Sequence, residues 1–184
     1  MLEGLQSLDV WLFRFGNITL ANSFFDSIMP IITSNTYVVP VLLAYIVGVI
    51  WRGTVRDQVF VLLVIVAIII ADQSVTLWKD LFLRPRPCHS FTDIRLLVPC
   101  GTGKSFPSGH ATNNFVGAIV SALCYKQWGR ILFLWAVIVS FSRVYCGVHY
   151  PLDILGGALW GTFIGWLVFR LYQKIVPKTS LIVL

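Results

Sequence analysis

An all-α bundle embedded in a membrane is the fold class that this sequence predicts, and two observations carry the prediction. Of the 184 residues, 57% are hydrophobic and only 12% are charged, whereas a soluble domain is roughly half apolar and about a quarter charged. The apolar residues also gather into long runs closed by charged or turn residues, near the roughly 20 residues that a helical crossing takes. Disorder is excluded by the same composition, because 14% aromatic residues and scarce charge are the opposite of a chain unable to bury a core. The length admits at most roughly six or seven crossings, so 1–184 is expected to form a single membrane-embedded domain. Its first ten residues carry Glu3 and Asp9 and no basic cluster. They do not read as a cleavable signal peptide, and the mature chain is expected to start near Met1.

The segment 1–34 differs from the rest. Leu8, Trp11, Leu12 and Phe15 form one apolar stripe, with Asp9, Arg14 and Asn17 off it. Phe24, Phe25, Ile28 and Ile32 form a second stripe, interrupted by Asp26 and stopped by Pro30. Residues 5–33 are therefore expected to make two amphipathic helices lying in the membrane interface, a sixth crossing being the alternative. Five core transmembrane helices follow, at 37–51, 58–78, 109–125, 131–146 and 152–171. Within the second, 59–71 carries no charge and is rich in Val and Ile. A soluble chain could bury such a run as a strand, but its length favours a membrane helix. Trp51, Trp78 and Trp128 fall at predicted span ends, where indole rings settle at the headgroup level. In the last span Gly157, Gly161 and Gly165 repeat every four residues, a smooth face for close helix packing.

The formal net charge of +6 would raise the question of nucleic acid in a soluble protein. In a membrane protein its ordinary origin is positive loops that fix orientation, and no nucleic acid partner is expected. Alternating spans put Arg52, Arg56, Lys126, Arg130, Arg170, Lys174 and Lys178 on one face. Lys79, Arg84, Arg86, Arg95, Lys104 and Arg143 fall on the other, and Arg14 is unassigned. The faces nearly tie, so the positive-inside rule alone does not orient the chain. One basic set must have another task.

All three histidines lie on the second face. There the connection 79–107 leads into Pro107-Ser108-Gly109-His110, and two spans later the chain returns at Ser142-Arg143, His149 and Asp153. Cations and imidazoles with few carboxylates point to an anionic substrate, phosphate foremost. Pro107 suits the first position of a helix. Ser108, Gly109 and His110 would then form a first turn whose free N–H groups and dipole cradle phosphate, with the Ser108 hydroxyl as a further donor. The same residues also make an ordinary entry into a span. Asp153, four residues after His149, can accept the imidazole Nδ1–H and leave the Nε2 lone pair outward, as a nucleophilic histidine requires. Alternatively, it simply favours the dipole of its own helix.

In order, the signature reads Lys79, six residues, Arg86-Pro87; Pro107-Ser108-Gly109-His110; and Ser142-Arg143, five residues, His149, three residues, Asp153. It resembles the phosphatidic acid phosphatase type 2 superfamily, with all three motifs present across 79–153. The resemblance implies phosphoester hydrolysis through a phosphohistidine intermediate, with no metal or other cofactor. His149 would attack phosphorus, Asp153 would hold its ring, and His110 would protonate the departing oxygen and later activate water. Lys79, Arg86, Ser108, Gly109 and Arg143 would bind the phosphoryl oxygens. Vanadate-dependent haloperoxidases resemble the superfamily in this anion site but are soluble.

The partners implied are phospholipid or glycolipid phosphates, with their tails between the helices and no obligate protein partner. Lipid A 1-phosphate, undecaprenyl diphosphate and phosphatidylglycerol phosphate are the candidates. The location implied is a bacterial cytoplasmic (inner) membrane. The connection 79–107 would then be an extracytoplasmic loop, with the site facing the periplasm or outside and the C-terminus in the cytoplasm. Two rivals are a phosphotransferase passing the phosphoryl group to a second lipid and a non-catalytic lipid-binding protein. The intact His149, His110 and Asp153 speak against the second.

Cys88 and Cys100 lie in the polar connection, where a disulfide would close a loop of about a dozen residues and add about 3 kcal/mol. Cys124 and Cys146 fall in spans as small apolar residues. Asp72, Thr76 and Lys79 share a helical face. An acid within a span is a functional candidate, and the expected role of Asp72 is to neutralise a nearby arginine or tie helices together. Arg84, His89, Arg95 and Lys104 stand outside the motifs and are expected in a solvated loop. Of these, Arg95 and Lys104 favour a bulky anionic headgroup.

Overall fold

In the computed structural model, residues 2–101 and 103–175 are described, and all regular structure in them is helical. Helix α1 (Leu2–Arg14) runs into a π-helical turn (Phe15–Thr19) and is followed by α2 (Ser23–Thr33). The bundle proper comprises α3 (Asn35–Arg52), α4 (Val55–Phe82), α6 (Gly109–Cys124), α7 (Lys126–Tyr145) and α8 (Pro151–Ile175). A four-residue helix, α5 (Pro87–Ser90), sits in the long connection between α4 and α6. Each predicted span therefore coincides with a helix. Three stretches, Val55–Ser90, Gln127–Tyr145 and Pro151–Ile175, are long and apolar enough to cross a membrane. Leu62, Ile69 and Leu77 of α4 and Leu159 and Trp166 of α8 point outward, an apolar surface suited to lipid and not to water. The chain is an integral membrane protein.

The bundle is built around α6, which packs against α4, α7 and α8. Its tightest neighbour is the glycine stripe of α8. A Cβ at Gly157 would stand 2.6 Å from the Ser108 carbonyl oxygen, and one at Gly161 would stand 2.3 Å from that of Thr112. Backbones this close tolerate only hydrogen at these positions. The approach also brings the start of α6 onto the start of α8, where the Ser108 N–H donates to the Asp153 carbonyl at 3.0 Å.

The N-terminal helices are amphipathic, as predicted; α2 packs Phe25, Met29 and Ile32 inward, but α1 and the turn after it bury polar residues. In α1 the stripe of Leu8 (51% exposed) and Trp11 (60%) faces out, while Asp9 (1%), Phe13 and Asn17 are buried. A lipid surround accounts for this inversion, because it rewards outward apolar groups and leaves polar ones to find partners within the protein. Asn17 does so fully. Its Nδ2 donates to the Arg95 and Tyr145 carbonyls, each at 2.7 Å, and its Oδ1 accepts the Arg95 N–H at 2.9 Å.

Three expectations need correction. Pro30 does not stop α2, which continues to Thr33, so the helix gives up one backbone bond at the proline and keeps its packing on α7. Asp26, read as an interruption, is paired with Arg95 and accepts the Tyr145 hydroxyl at 2.6 Å. Trp78 lies a turn inside α4, which runs to Phe82, and packs edge-on against Trp160 at 5.5 Å. Met1 and Lys178 lie outside the described residues.

Replacing Gly161 by Leu is expected to force α6 and α8 apart, costing about 1–3 kcal/mol or more. Thermal unfolding of the purified protein in detergent should show a clear fall in midpoint; an unchanged midpoint would contradict this packing.

Candidate active site

One end of the bundle gathers the signature residues, and local backbone features explain how. Helix α4 is capped by Leu83, whose N–H donates to the Lys79 carbonyl and whose left-handed conformation (φ 51°) turns the chain toward Arg84 and Arg86. Helix α7 ends at Tyr145, and Gly147 follows with φ 85°, a conformation that costs a non-glycine residue strain. A Cβ there would also lie 2.4 Å from the Arg95 carbonyl oxygen. Through this turn the Val148 and His149 N–H groups return to the Arg143 carbonyl at 3.1 and 3.3 Å. Arg143 and His149, separated by five residues, are thereby held together.

His149 is buried, with Nδ1 3.3 Å from Asp153 Oδ2. Since a carboxylate accepts, Nδ1 carries the proton and Nε2 the lone pair. Burial pushes the imidazole down, to about 4, against the opposing influence of Asp153. The ring is therefore neutral at pH 7. Asp153 is itself fully buried and held from several directions. Its Oδ2 also accepts the Tyr150 N–H at 2.8 Å and the Ser105 hydroxyl, and its Oδ1 accepts from Arg84 at 2.8 Å.

In front of Nε2 stands a cationic wall. Arg86 Nη1 lies 3.5 Å from Nε2, while its Nε donates to the Gly103 carbonyl at 3.0 Å. Gly101 lets the loop lie against the same guanidinium, since a Cβ there would come within 3.3 Å of it. Arg143 donates to the Thr33 hydroxyl at 2.7 Å, and its Nε is buried without a partner. Lys79 is close enough to interact with both arginines, and His110 with His149, Arg86 and Arg143. Among the described residues, Lys79, Arg86 and Arg143 have no carboxylate at ion-pair distance, whereas Arg14 pairs with Asp93, Arg84 with Asp9 and Asp153, and Arg95 with Asp26. An uncompensated set of three buried or half-buried cations is costly. Such a set is complementary to a dianion.

The helix start is arranged differently from the sequence expectation. Pro107 is not the first residue of α6; Ser108 is its N-cap, with Oγ accepting the Ala111 N–H at 3.4 Å, and Gly109 begins the helix. The Ser108 N–H is taken by Asp153, so the free main-chain donors begin at Gly109. Ser108 is fully buried, and its hydroxyl proton remains available to a ligand oxygen. Gly109 is half-buried beside Val75 and the Asp72 carboxylate, and Asp72 makes no ion pair with an arginine among the described residues.

The structure gathers His149, Asp153, Arg86, Arg143 and Ser108 at one end of the bundle, with Lys79 and His110 nearby, and it removes Arg95 from the headgroup contacts by pairing it with Asp26. Lys104 and His89 are exposed. Four participants were not anticipated: Asp9, Thr33, Arg84 and Ser105. Of these only Arg84, two residues before Arg86, had a sequence signal. Cys88 and Cys100 are joined as a disulfide, with Cα atoms 6.2 Å apart. At the opposite end Arg56 donates to the Tyr172 hydroxyl at 3.1 Å, and the Tyr125 hydroxyl donates to Asp57 at 2.5 Å.

Comparison with known proteins shows what the chain as a whole is similar to. The sequence pattern of the PAP2 superfamily matches residues 60–177. A lipid A 4′-phosphatase of Bacteroides thetaiotaomicron is 32% identical over 195 aligned residues, covering 97% of this chain and 83% of that protein. The undecaprenyl-diphosphatase BcrC of Bacillus subtilis is 32% identical over 166 residues, covering 88% and 82%. The crystal structure of a transmembrane PAP2-type phosphatidylglycerolphosphate phosphatase from Bacillus subtilis superposes with a TM-score of 0.75 at 26% identity, covering 94% of this chain and 88% of that one.

Proposed function

Since the chain belongs to the PAP2 superfamily and is a lipid phosphate phosphatase, we propose that His149 is its nucleophile and that the phosphoryl group docks between Nε2 and the wall of Lys79, Arg86 and Arg143. The observation that carries this reading is the pairing of opposites around one ring: Nδ1 faces a carboxylate, and Nε2 faces cations that have none. Nε2 attacks phosphorus; the N–P bond forms as the bond to the lipid oxygen breaks, and His110 gives that oxygen a proton. Asp153 offsets the positive charge that appears on the imidazole ring. Water, losing its proton to His110, then attacks the same phosphorus, and the N–P bond breaks to release phosphate. The Ser108 hydroxyl and the Gly109 N–H add donors to the equatorial oxygens, over which the charge is spread in the transition state.

The substrate is a lipid whose phosphate or diphosphate reaches this end of the bundle. The relatives named for lipid A, undecaprenyl diphosphate and phosphatidylglycerolphosphate phosphatases support a lipid A phosphate, undecaprenyl diphosphate and phosphatidylglycerol phosphate as candidates. The membrane is the bacterial cytoplasmic membrane, with 1–34 at its interface, the site outside and the opposite end in the cytoplasm. The pairing of Cys88 with Cys100, Cα atoms 6.2 Å apart, is compatible with that orientation, because disulfides persist in extracytoplasmic compartments.

Purified protein given each candidate lipid in chelator, without acceptor lipid, is expected to release inorganic phosphate from at least one. His149→Ala should lower that rate by about a thousandfold or more while the protein stays folded; near-native turnover by this variant would overturn the assignment. Mass spectrometry of protein from intact cells, with and without reduction, should find Cys88 and Cys100 linked. Two free thiols would argue against the orientation.

A further inference from the structure

Behind the histidine lies a second charged layer that the reaction scheme above does not use. Arg84 stretches between two carboxylates, donating from Nη1 to Asp153 Oδ1 at 2.8 Å and from Nη2 to Asp9 Oδ2 at 2.5 Å. Its guanidinium also lies over the Tyr150 ring, 4.1 Å from the centroid. Asp9 belongs to α1, yet it is buried, and its other oxygen accepts the Leu152 N–H at 2.8 Å, one residue before Asp153. The N-terminal helix therefore places a carboxylate directly against the turn that carries Asp153.

Charge balance shows what this layer can do. Arg84 alone beside Asp153 would make a neutral pair, leaving little to offset the imidazolium formed when His149 bonds to phosphorus. With Asp9 on the far side of Arg84, the trio carries one net negative charge, and Asp153 keeps its attraction for the ring. The fork of Arg84 gives one N–H to each carboxylate and so ties Asp153 to Asp9 in a fixed relation, which a single point charge does not. We propose that Asp9 and Arg84 are a positioning pair that orients Asp153 and preserves its charge toward His149, making turnover depend on the docked N-terminal helix. The inference rests on the reading of His149 and Asp153 as the reacting dyad.

The test uses the full-length protein in detergent, with phosphate release from a lipid phosphate as the assay. Asp9→Asn is expected to lower kcat by about 10- to 100-fold, the range usual for groups that orient a reacting ligand, with KM nearly unchanged. Arg84→Lys, which keeps the charge but loses the fork, should behave alike. Combining the two changes, Asp9→Asn with Arg84→Lys, should cost no more than the worse single change, because the two act as a unit. Arg14→Gln, which breaks the exposed pair of α1 with Asp93 and the stacking of the same guanidinium on Phe91 but leaves Asp9 and Arg84 in place, should leave kcat and KM as they were. Native kcat in both Asp9→Asn and Arg84→Lys, or a raised KM with kcat intact, would overturn the proposal. So would losses that multiply in the double variant. His149→Ala in the same assay separates the two levels: if it still turns over, the dyad reading fails; if it is inactive while Asp9→Asn and Arg84→Lys are both native, only the positioning role fails. If Asp9→Asn does not fold, Arg84→Lys decides alone.

Discussion

A buried carboxylate must be satisfied from every side, and the need to satisfy Asp153 organises this protein. Leaving such a charge unpaired costs several kcal/mol, so its partners must arrive together. They come from separate parts of the chain: His149 and Tyr150 from the turn before α8, Ser105 and Arg84 from the long polar connection. Asp9 of α1 reaches it through Arg84. The main chain of the same residue accepts from Ser108 and so fixes the start of α6. One residue thereby couples the N-terminal helix, the polar connection and two bundle helices at the proposed site.

The arginines of this end divide into two populations that composition does not distinguish. Arg14, Arg84 and Arg95 each have a carboxylate and serve as ties between segments. Arg86 and Arg143 have none at ion-pair distance and are held by carbonyls and a hydroxyl, donor to acceptor, which fixes their direction without cancelling their charge. Such uncompensated cations, preorganised around Nε2, favour charge that develops on a transferring phosphoryl group more than charge in water. The glycine stripe contributes at a distance. By bringing α6 and α8 into backbone contact it sets the register between Ser108 and Asp153.

Much of this was legible in the sequence, and the parts that were not share a physical cause. The spans were readable because lipid demands long apolar runs, and the stripe of Gly157, Gly161 and Gly165 because a period of four on a helix defines a face. The signature residues were readable because their chemistry is scarce in an apolar chain. Local pattern failed where a tertiary partner decided the outcome. Asp9 and Asn17 looked like the wet side of an interfacial helix, but in a lipid surround the polar side is the one that turns inward. Arg84 and Arg86 differ only in which acid the fold brings to them. Pro107 satisfied the local preference for a helix start, yet Ser108 took the cap because its hydroxyl could accept from Ala111.

Rapid quenching with a lipid substrate labelled at its phosphorus tests the central assignment most directly. A covalent adduct on His149 should appear within the first turnover, stable in alkali and labile in acid, and map to that residue by mass spectrometry. His149→Ala should carry no label. Label on another residue, or phosphate released with no labelled protein at any time before the first turnover is complete, would contradict the nucleophilic role of His149.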